Sequence, residues 1–160
     1  MDRKDEVEIM DISDTYVVGK RLKMSLSNDK TYPLWKGFKP QVLSIKNRVN
    51  TDFYSVQIYS SNFKEFNPNT IFENWAAVEV FDFSEIPEEM KKLIIPKGKY
   101  AVFMHFGLAK EVGKTMRFIY EIWLPESNFQ LDDRLHFQVM KSDYRPDDPQ
   151  AQETFWIPIK

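Results

Sequence analysis

The 160-residue sequence contains no cysteine, only five glycines and only two histidines. Without cysteine, the chain can have no disulfide scaffold, no cysteine-ligated zinc site and no thiol nucleophile. The five glycines fit neither the phosphate-binding loop nor the dinucleotide fingerprint, and no Gly-x-Ser-x-Gly elbow occurs. His105 and His136 lack the spacing of a metal-ligating pair, so we expect no metal site. We therefore predict no cofactor, and the sequence assigns no catalytic residue.

An excess of positive charge is also lacking. The 22 lysines and arginines are balanced by 24 aspartates and glutamates, giving a net charge of -2. This balance argues against direct binding of nucleic acid or of an anionic membrane, because both require a basic face. The longest nearly apolar run, residues 100–109, is half a membrane span, and no apolar stretch follows the charged start. These absences predict a cytoplasmic protein without a signal peptide or a membrane partner.

Aromatic residues, in contrast, are abundant. Thirteen phenylalanines, seven tyrosines and four tryptophans make up 15% of the chain. This is more than a small core requires, so some of the rings are candidates for lining a binding surface. The length is that of a single domain, and we expect residues 1–160 to form one.

The order of predicted elements repeats along the chain. The first half, about residues 7–82, and the second half, about residues 97–160, each have the pattern strand, helix, strand, strand. Between them, residues 84–95 are predicted to form a connector with a short helical turn. The predicted elements are strands 7–22, 53–59 and 72–81 around a helix over 33–49, followed by strands 99–106, 135–140 and 154–159 around a helix over 110–123. This indicates an α+β fold built from a duplicated βαββ unit with a period of about eighty residues.

The two halves can be superimposed on their middle strands, residues 55–59 on residues 136–140. This places Gln57 and Gln138 at equivalent positions, on the sheet face opposite their apolar neighbours. If the apolar face meets the helices, the glutamines lie on the other side of the sheet. An approximate two-fold axis would then leave a groove with a polar floor and aromatic walls, where a small molecule could bind.

Several motifs, taken in order, resemble those of the DNA gyrase inhibitor-like family, also called the effector-binding domain of AraC- and MerR-type transcription regulators. They are Leu34-Trp35-x-x-Phe38, Ile86-Pro87-x-x-Met90, Ile95-Pro96-x-Gly98-x-Tyr100, Ile119-Tyr120-x-x-Trp123-Leu124-Pro125 and the terminal Ile157-Pro158-Ile159-Lys160. The resemblance implies two pseudo-symmetric βαββ repeats that form a curved antiparallel sheet with two long helices and a central cleft. It also implies capture of small organic compounds, many of them cationic or aromatic.

Regulators of this family carry a DNA-binding helix-turn-helix domain as well. Only a short charged segment precedes the first predicted strand, so the resemblance suggests a stand-alone form. Some stand-alone relatives are similar to hydrolases of cyclopropanoid compounds, and one branch inhibits DNA gyrase.

One position departs from the family pattern. The family carries Phe-Glu on the second strand of the second repeat, whereas this chain has Phe137-Gln138. A glutamine amide cannot ionise, so it supplies neither a full charge nor a general base. Glu79 is the remaining acidic candidate, because Trp75 shares its strand face. The alternative is that Glu79 is a solvated residue on the outer face of the sheet.

The first functional hypothesis is a module that senses or sequesters a small hydrophobic compound, cationic or aromatic in character. The second is a hydrolase of reactive compounds, in which Glu79 or a tyrosine would act as the base. The third is a protein-interaction role, with DNA gyrase or a DNA-binding regulator as partner. Core packing remains the alternative role for the aromatic candidates, above all for Trp123. The predicted ligand-binding residues are Gln138, Gln57, Glu79, Trp75, Phe103, Trp123, Tyr54 and Phe155.

Overall fold

A computed structural model describes residues 7–60 and 67–160, and within these ranges eight strands form one antiparallel sheet. The order of the strands in the sheet is β1-β6-β8-β7-β3-β4-β2-β5. The sheet curls into a half-barrel, which confirms the predicted α+β fold. The strands are β1 Glu8–Ile12, β2 Thr15–Met24, β3 Phe53–Ile58, β4 Phe72–Glu79, β5 Lys91–Ile95, β6 Gly98–Phe106, β7 His136–Met140 and β8 Gln152–Pro158.

The strand order has a two-fold symmetry that matches the sequence duplication. Exchanging β1 to β4 for β5 to β8 gives the same order read from the other edge of the sheet. Gln57 and Gln138, 81 residues apart, occupy equivalent positions. The first strand of each half pairs with the other half, β1 with β6 and β5 with β2. The halves are therefore joined by two exchanged edge strands as well as by the central β3–β7 ladder.

The strand β5 lies inside the segment that was predicted to be a connector with a helical turn. A single turn does occur there, where the Met90 N–H donates to the Pro87 carbonyl at 2.9 Å. The following residues are extended because they pair with residues 15–19 of β2. The sequence prediction for 91–95 was therefore wrong, since the pairing partner lies more than seventy residues away.

The first helix is shorter than predicted. The α-helix α1 covers Thr31–Phe38 and continues as a 3-10 helix over Lys39–Ser44. Pro40 lacks the N–H that a continuing α-helix requires, which accounts for the change of helix type. The predicted extension to Val49 was wrong, because the Val49 N–H instead donates to the Glu79 carbonyl at 3.0 Å.

The second helical segment is continuous but irregular. A 3-10 turn at Ala109–Glu111 leads into α2, Val112–Arg117, then a π-helical turn, Phe118–Trp123, and finally α3, Leu124–Glu126. The backbone turns extended at Ser127, two residues after Pro125. No helix in the described ranges is long and apolar enough to cross a membrane.

The two helical segments pack on the same face of the sheet, over different strands. The first places Leu34 and Phe38 in a core cluster with Val18, Ala76 and Val78 of β2 and β4. The second forms a separate core with β6 and β8, in which Ala101, Phe103, Ile119, Phe155 and Ile157 are buried.

The opposite face forms a core of its own without a helix. Val56, Trp75, Tyr100 and Phe137 are buried there, and half-buried Trp156 stacks on Phe137 with ring centroids 5.2 Å apart. Because the sheet curls, these side chains pack against one another. The sheet is therefore packed on both faces, by helices on one face and by its own aromatic side chains on the other.

Candidate ligand-binding site

The two helical segments flank the central strands β3 and β7, where the halves of the sheet meet. On the helix side, these strands present three register pairs, Phe53 with Met140, Ser55 with Gln138 and Gln57 with His136. We call this six-residue surface the central seam. The neighbouring strands show that the seam lies on the helix side of the sheet. Ser55 is opposite Ala76 and Gln138 is opposite Phe155, and Ala76 and Phe155 belong to the two cores beneath the helices.

A reciprocal pair of amides lies at the centre of the seam. Gln57 Nε2 donates to Gln138 Oε1, and Gln138 Nε2 donates to Gln57 Oε1, both at 2.8 Å. Gln57 Nε2 also lies 3.1 Å from both Ser55 Oγ and Asn74 Oδ1. Each glutamine is only 8% exposed. The pair follows from the symmetry, since equivalent side chains on either side of a two-fold axis can bond to each other.

One end of the seam is aromatic and uncharged. His136 Nδ1 and the Tyr120 hydroxyl lie 2.8 Å apart in a hydrogen bond, and the Tyr59 ring meets the imidazole edge-on at 4.9 Å. Burial lowers the pKa of His136 to about 3 and raises the pKa values of Tyr59 and Tyr120. All three groups are therefore neutral at pH 7.

The other end is bordered by the first helix. The half-buried indole of Trp35 meets the Phe53 ring edge-on at 5.8 Å, and Phe53 also lies beneath two cations, Lys39 and Arg48. The seam thus combines amide hydrogen-bonding groups in the middle with rings toward both ends. This combination is typical of sites that hold small organic molecules.

Five of the eight predicted ligand residues lie on the helix side of the sheet. Gln57 and Gln138 are in the seam, and Phe155 lies directly opposite Gln138 in the β7–β8 ladder. Phe103 and Trp123 meet ring edge to ring face at 5.1 Å beneath the second helical segment. These two belong to the helix-packed core, as the alternative interpretation of Trp123 anticipated.

The other three, Tyr54, Trp75 and Glu79, are on the opposite face. The Tyr54 hydroxyl donates to Glu79 Oε1 at 2.9 Å, and the Trp75 indole N–H donates to Glu73 Oε1 at 2.7 Å. The structure therefore does not bring the eight predicted residues together at one site. As ligand contacts, all eight remain predictions.

The predicted orientation of the sheet requires correction. Alternation correctly placed Val56 and Phe137 opposite the glutamines, but the helices cover the glutamine face and not the apolar one. The apolar face needs no helix because its aromatic side chains fill the curl of the sheet. Alternation separates the two faces without indicating which of them a helix will cover.

Several residues in or beside the seam were absent from the predicted set. Ser55 and His136 alternate with the two glutamines, so the same period of two could have identified them. Asn74 and Tyr120 come from other elements, and only the fold brings them close. Within residues 7–60 and 67–160, no three histidine, aspartate or glutamate side chains are grouped to hold a metal ion.

Comparisons with known proteins agree with this architecture. The family model of the GyrI-like small molecule binding domain matches residues 5–160. Transcriptional regulator BrlR of Pseudomonas aeruginosa is 30% identical over 144 residues, covering 89% of this chain and 51% of the regulator. The chain thus spans about half the length of this curated relative.

Two solved structures share the fold at low sequence identity. SAV2435 bound to tetraphenylphosphonium has a TM-score of 0.72 at 15% identity, covering 97% of this chain and 94% of that one. EcmrR in a complex with DNA has a TM-score of 0.73 at 13% identity, covering 96% of this chain and 57% of that one. The duplicated half-barrel and the match along nearly the whole sequence lead to one conclusion: this chain belongs to the family of GyrI-like small molecule binding domains.

Proposed function

We propose that this domain binds small hydrophobic aromatic compounds in the central seam and acts as a sensing or sequestering module. The observation that carries the proposal is the amide pair Gln57–Gln138, held between two helices and bordered by rings at both ends. Amides orient a ligand through hydrogen bonds, whereas the rings provide apolar contact area.

The chemistry of the seam favours ligands that carry no concentrated charge. Gln57 and Gln138 cannot ionise, and His136 is neutral because burial lowers its pKa to about 3. A neutral ring system, or a cation whose charge is spread over several rings, fits these surroundings. The structural neighbour SAV2435 binds tetraphenylphosphonium, which is an ion of the second kind.

The relatives support a sensing role. BrlR is a transcriptional regulator twice the length of the matched region, and EcmrR was observed in a complex with DNA. We therefore propose a DNA-binding regulator as the protein partner rather than direct contact of this domain with DNA. The hydrolase hypothesis with Glu79 as the base gains no support from the site, because Glu79 lies on the face opposite Gln138.

A ligand screen would test the proposal. Thermal unfolding would be followed with triphenylphosphine oxide, tetraphenylphosphonium and tetraphenylborate, which carry similar rings on a neutral, a positive and a negative centre. A ligand that binds only the native state stabilises it by about 2.7 kcal/mol at one hundred times its dissociation constant. We expect stabilisation by the first two compounds. No stabilisation by any of the three would contradict the proposed function.

A matched pair of tryptophan variants would locate the binding site. Trp35 borders the seam and Trp156 lies on the opposite face, and both are half-buried. We expect Trp35→Leu to weaken triphenylphosphine oxide binding roughly fivefold or more, since a ring contact is worth about 1 kcal/mol. Trp156→Leu should change affinity less than about twofold. The reverse result, measured by titration calorimetry, would place the site on the helix-free face.

A further inference from the structure

Glu153 is a buried carboxyl group beside the seam. It is 7% exposed and lies on β8, opposite Met140 of β7 on one side and His105 of β6 on the other. Phe155, two residues along the same strand face, lies opposite Gln138. Glu153 is therefore the diagonal neighbour of Gln138, within about 7–8 Å between Cα atoms, on the helix side of the sheet.

The carboxyl group has little support from the surrounding protein. Its hydrogen bond within the described residues comes from the Tyr144 hydroxyl at 3.4 Å, a long distance for such a bond. In residues 7–60 and 67–160, no lysine, arginine or histidine forms an ion pair with it. A buried carboxylate without a cation is unstable, so the group favours its protonated form.

The charged and titratable neighbours are engaged elsewhere. His105 faces Glu153 from β6, but its Nε2 donates to the Leu108 carbonyl at 3.0 Å and its Nδ1 bonds Thr115 Oγ1 at 2.7 Å. At the start of the second helical segment, Lys114 pairs with Glu111 at 3.7 Å. None of these groups neutralises the Glu153 carboxylate.

Lys141 follows Met140 at the end of β7 and is the next cation along the chain. It pairs with Asp52 at 3.3 Å, with most of its side chain in solvent. Burial meanwhile raises the pKa of Glu153 to about 7, against a weak opposing effect of the Tyr144 hydrogen bond. The acid and the carboxylate are both populated near neutral pH.

We infer that Glu153 is the charge-recognising residue of this seam: a cationic aromatic ligand binds its carboxylate form and drives a proton from it into the solvent. The inference rests on the proposed function and adds a specificity determinant to it. The step balances, because the protonated acid loses one proton to the buffer and the resulting carboxylate faces the bound cation. Glu153 thus places an ionisable carboxyl group on the strand next to the neutral amide of Gln138.

The wild-type protein allows a test that needs no variant. Tetraphenylphosphonium affinity would be measured by calorimetry between pH 6 and pH 8, in two buffers that differ in ionisation enthalpy. Affinity should rise about tenfold over this range, since it follows the ionised fraction of a group that titrates near pH 7. About half a proton should be released per ligand at pH 7, and none with triphenylphosphine oxide. A pH-independent affinity without proton release would overturn the inference.

Variants would then identify the group that releases the proton. Glu153→Gln should abolish the release and weaken tetraphenylphosphonium binding roughly tenfold at pH 8, because the attraction between the carboxylate and the cation is lost. Triphenylphosphine oxide affinity should stay within about twofold. Glu111→Gln is the matched control and should behave like the wild type. Unchanged release in Glu153→Gln would overturn the assignment.

The two proposals fail in different ways. If triphenylphosphine oxide binds in the seam and tetraphenylphosphonium does not, the inference about Glu153 is wrong and the proposed function stands. If neither compound binds the wild-type protein, the proposed function is wrong, and the inference about Glu153 is overturned with it.

Discussion

At the scale of single residues, the amide pair Gln57–Gln138 is the clearest product of the duplication. Its two 2.8 Å bonds join equivalent positions of the two halves, in a place with little access to water. An amide that loses its partner in such surroundings cannot exchange the lost bond for one to solvent. The energetics of the pair should therefore depend on both members together.

A double-mutant cycle would measure this coupling. Gln138→Leu should lower the free energy of unfolding by about 1–3 kcal/mol, because it leaves the Gln57 carbonyl without a donor. The double variant Gln57→Leu/Gln138→Leu should lose less than the sum of the two single variants, as expected for groups in direct contact. Urea unfolding gives all four values. Strictly additive losses would show that the two amides act independently.

At the scale of elements, glycine marks the closest approach of two strands. Gly19 of β2 pairs with Ala77 of β4, and a Cβ atom at position 19 would overlap the Ala76 carbonyl oxygen. The opposing atoms belong to the backbone, so no side-chain rotation can relieve the contact. Gly37 of α1, in contrast, is exposed with open space around its Cα.

The same substitution should therefore have opposite effects at the two sites. Gly19→Ala should destabilise the fold by about 1–3 kcal/mol, because the strands must separate to admit the methyl group. Gly37→Ala should stabilise it by roughly 0.5–1 kcal/mol through its higher helix propensity. Chemical unfolding of both variants provides the comparison. A neutral Gly19→Ala would mean that β2 and β4 adjust without strain.

At the scale of the whole molecule, two buried groups give stability opposite dependences on pH. The pKa of His136 is lowered to about 3, so between pH 3 and 6.5 only the unfolded chain binds this proton and stability falls as the pH falls. The pKa of Glu153 is raised to about 7, so between pH 4.5 and 7 the folded chain holds the extra proton and stability falls as the pH rises. Over the shared window the two effects oppose each other.

Two variants should separate these contributions. Glu153→Gln should make stability rise with pH between 4.5 and 6.5, because the His136 effect is then unopposed. His136→Asn, whose side-chain amide can donate or accept a hydrogen bond at Tyr120, should make stability fall with rising pH over the same range. Urea midpoints at several pH values measure both slopes. Slopes of equal sign in the two variants would contradict the assignment.

The repeat, the strand alternation and the family could all be predicted from the order of residues. The equivalence of Gln57 and Gln138 needed only the order of residues, and so did the apolar stripe of Leu34, Phe38, Val42 and Ile45, all of which are buried. These features are local, because a period of two or 3.6 residues is fixed by backbone geometry. The end of α1 was missed although Pro40 was visible, because the apolar stripe continues past it.

The face that the helices cover, the pairing of the first strand of each half and the surroundings of Glu153 emerged only from the three-dimensional fold. An alternating strand is equally compatible with a helix on either side, and here the curl of the sheet lets the rings on the apolar face cover one another. The pairing of β5 with β2 and the position of Glu153 beside Gln138 depend on contacts between distant segments. Such contacts arise from the packing of the whole chain, and no local pattern in the sequence encodes them.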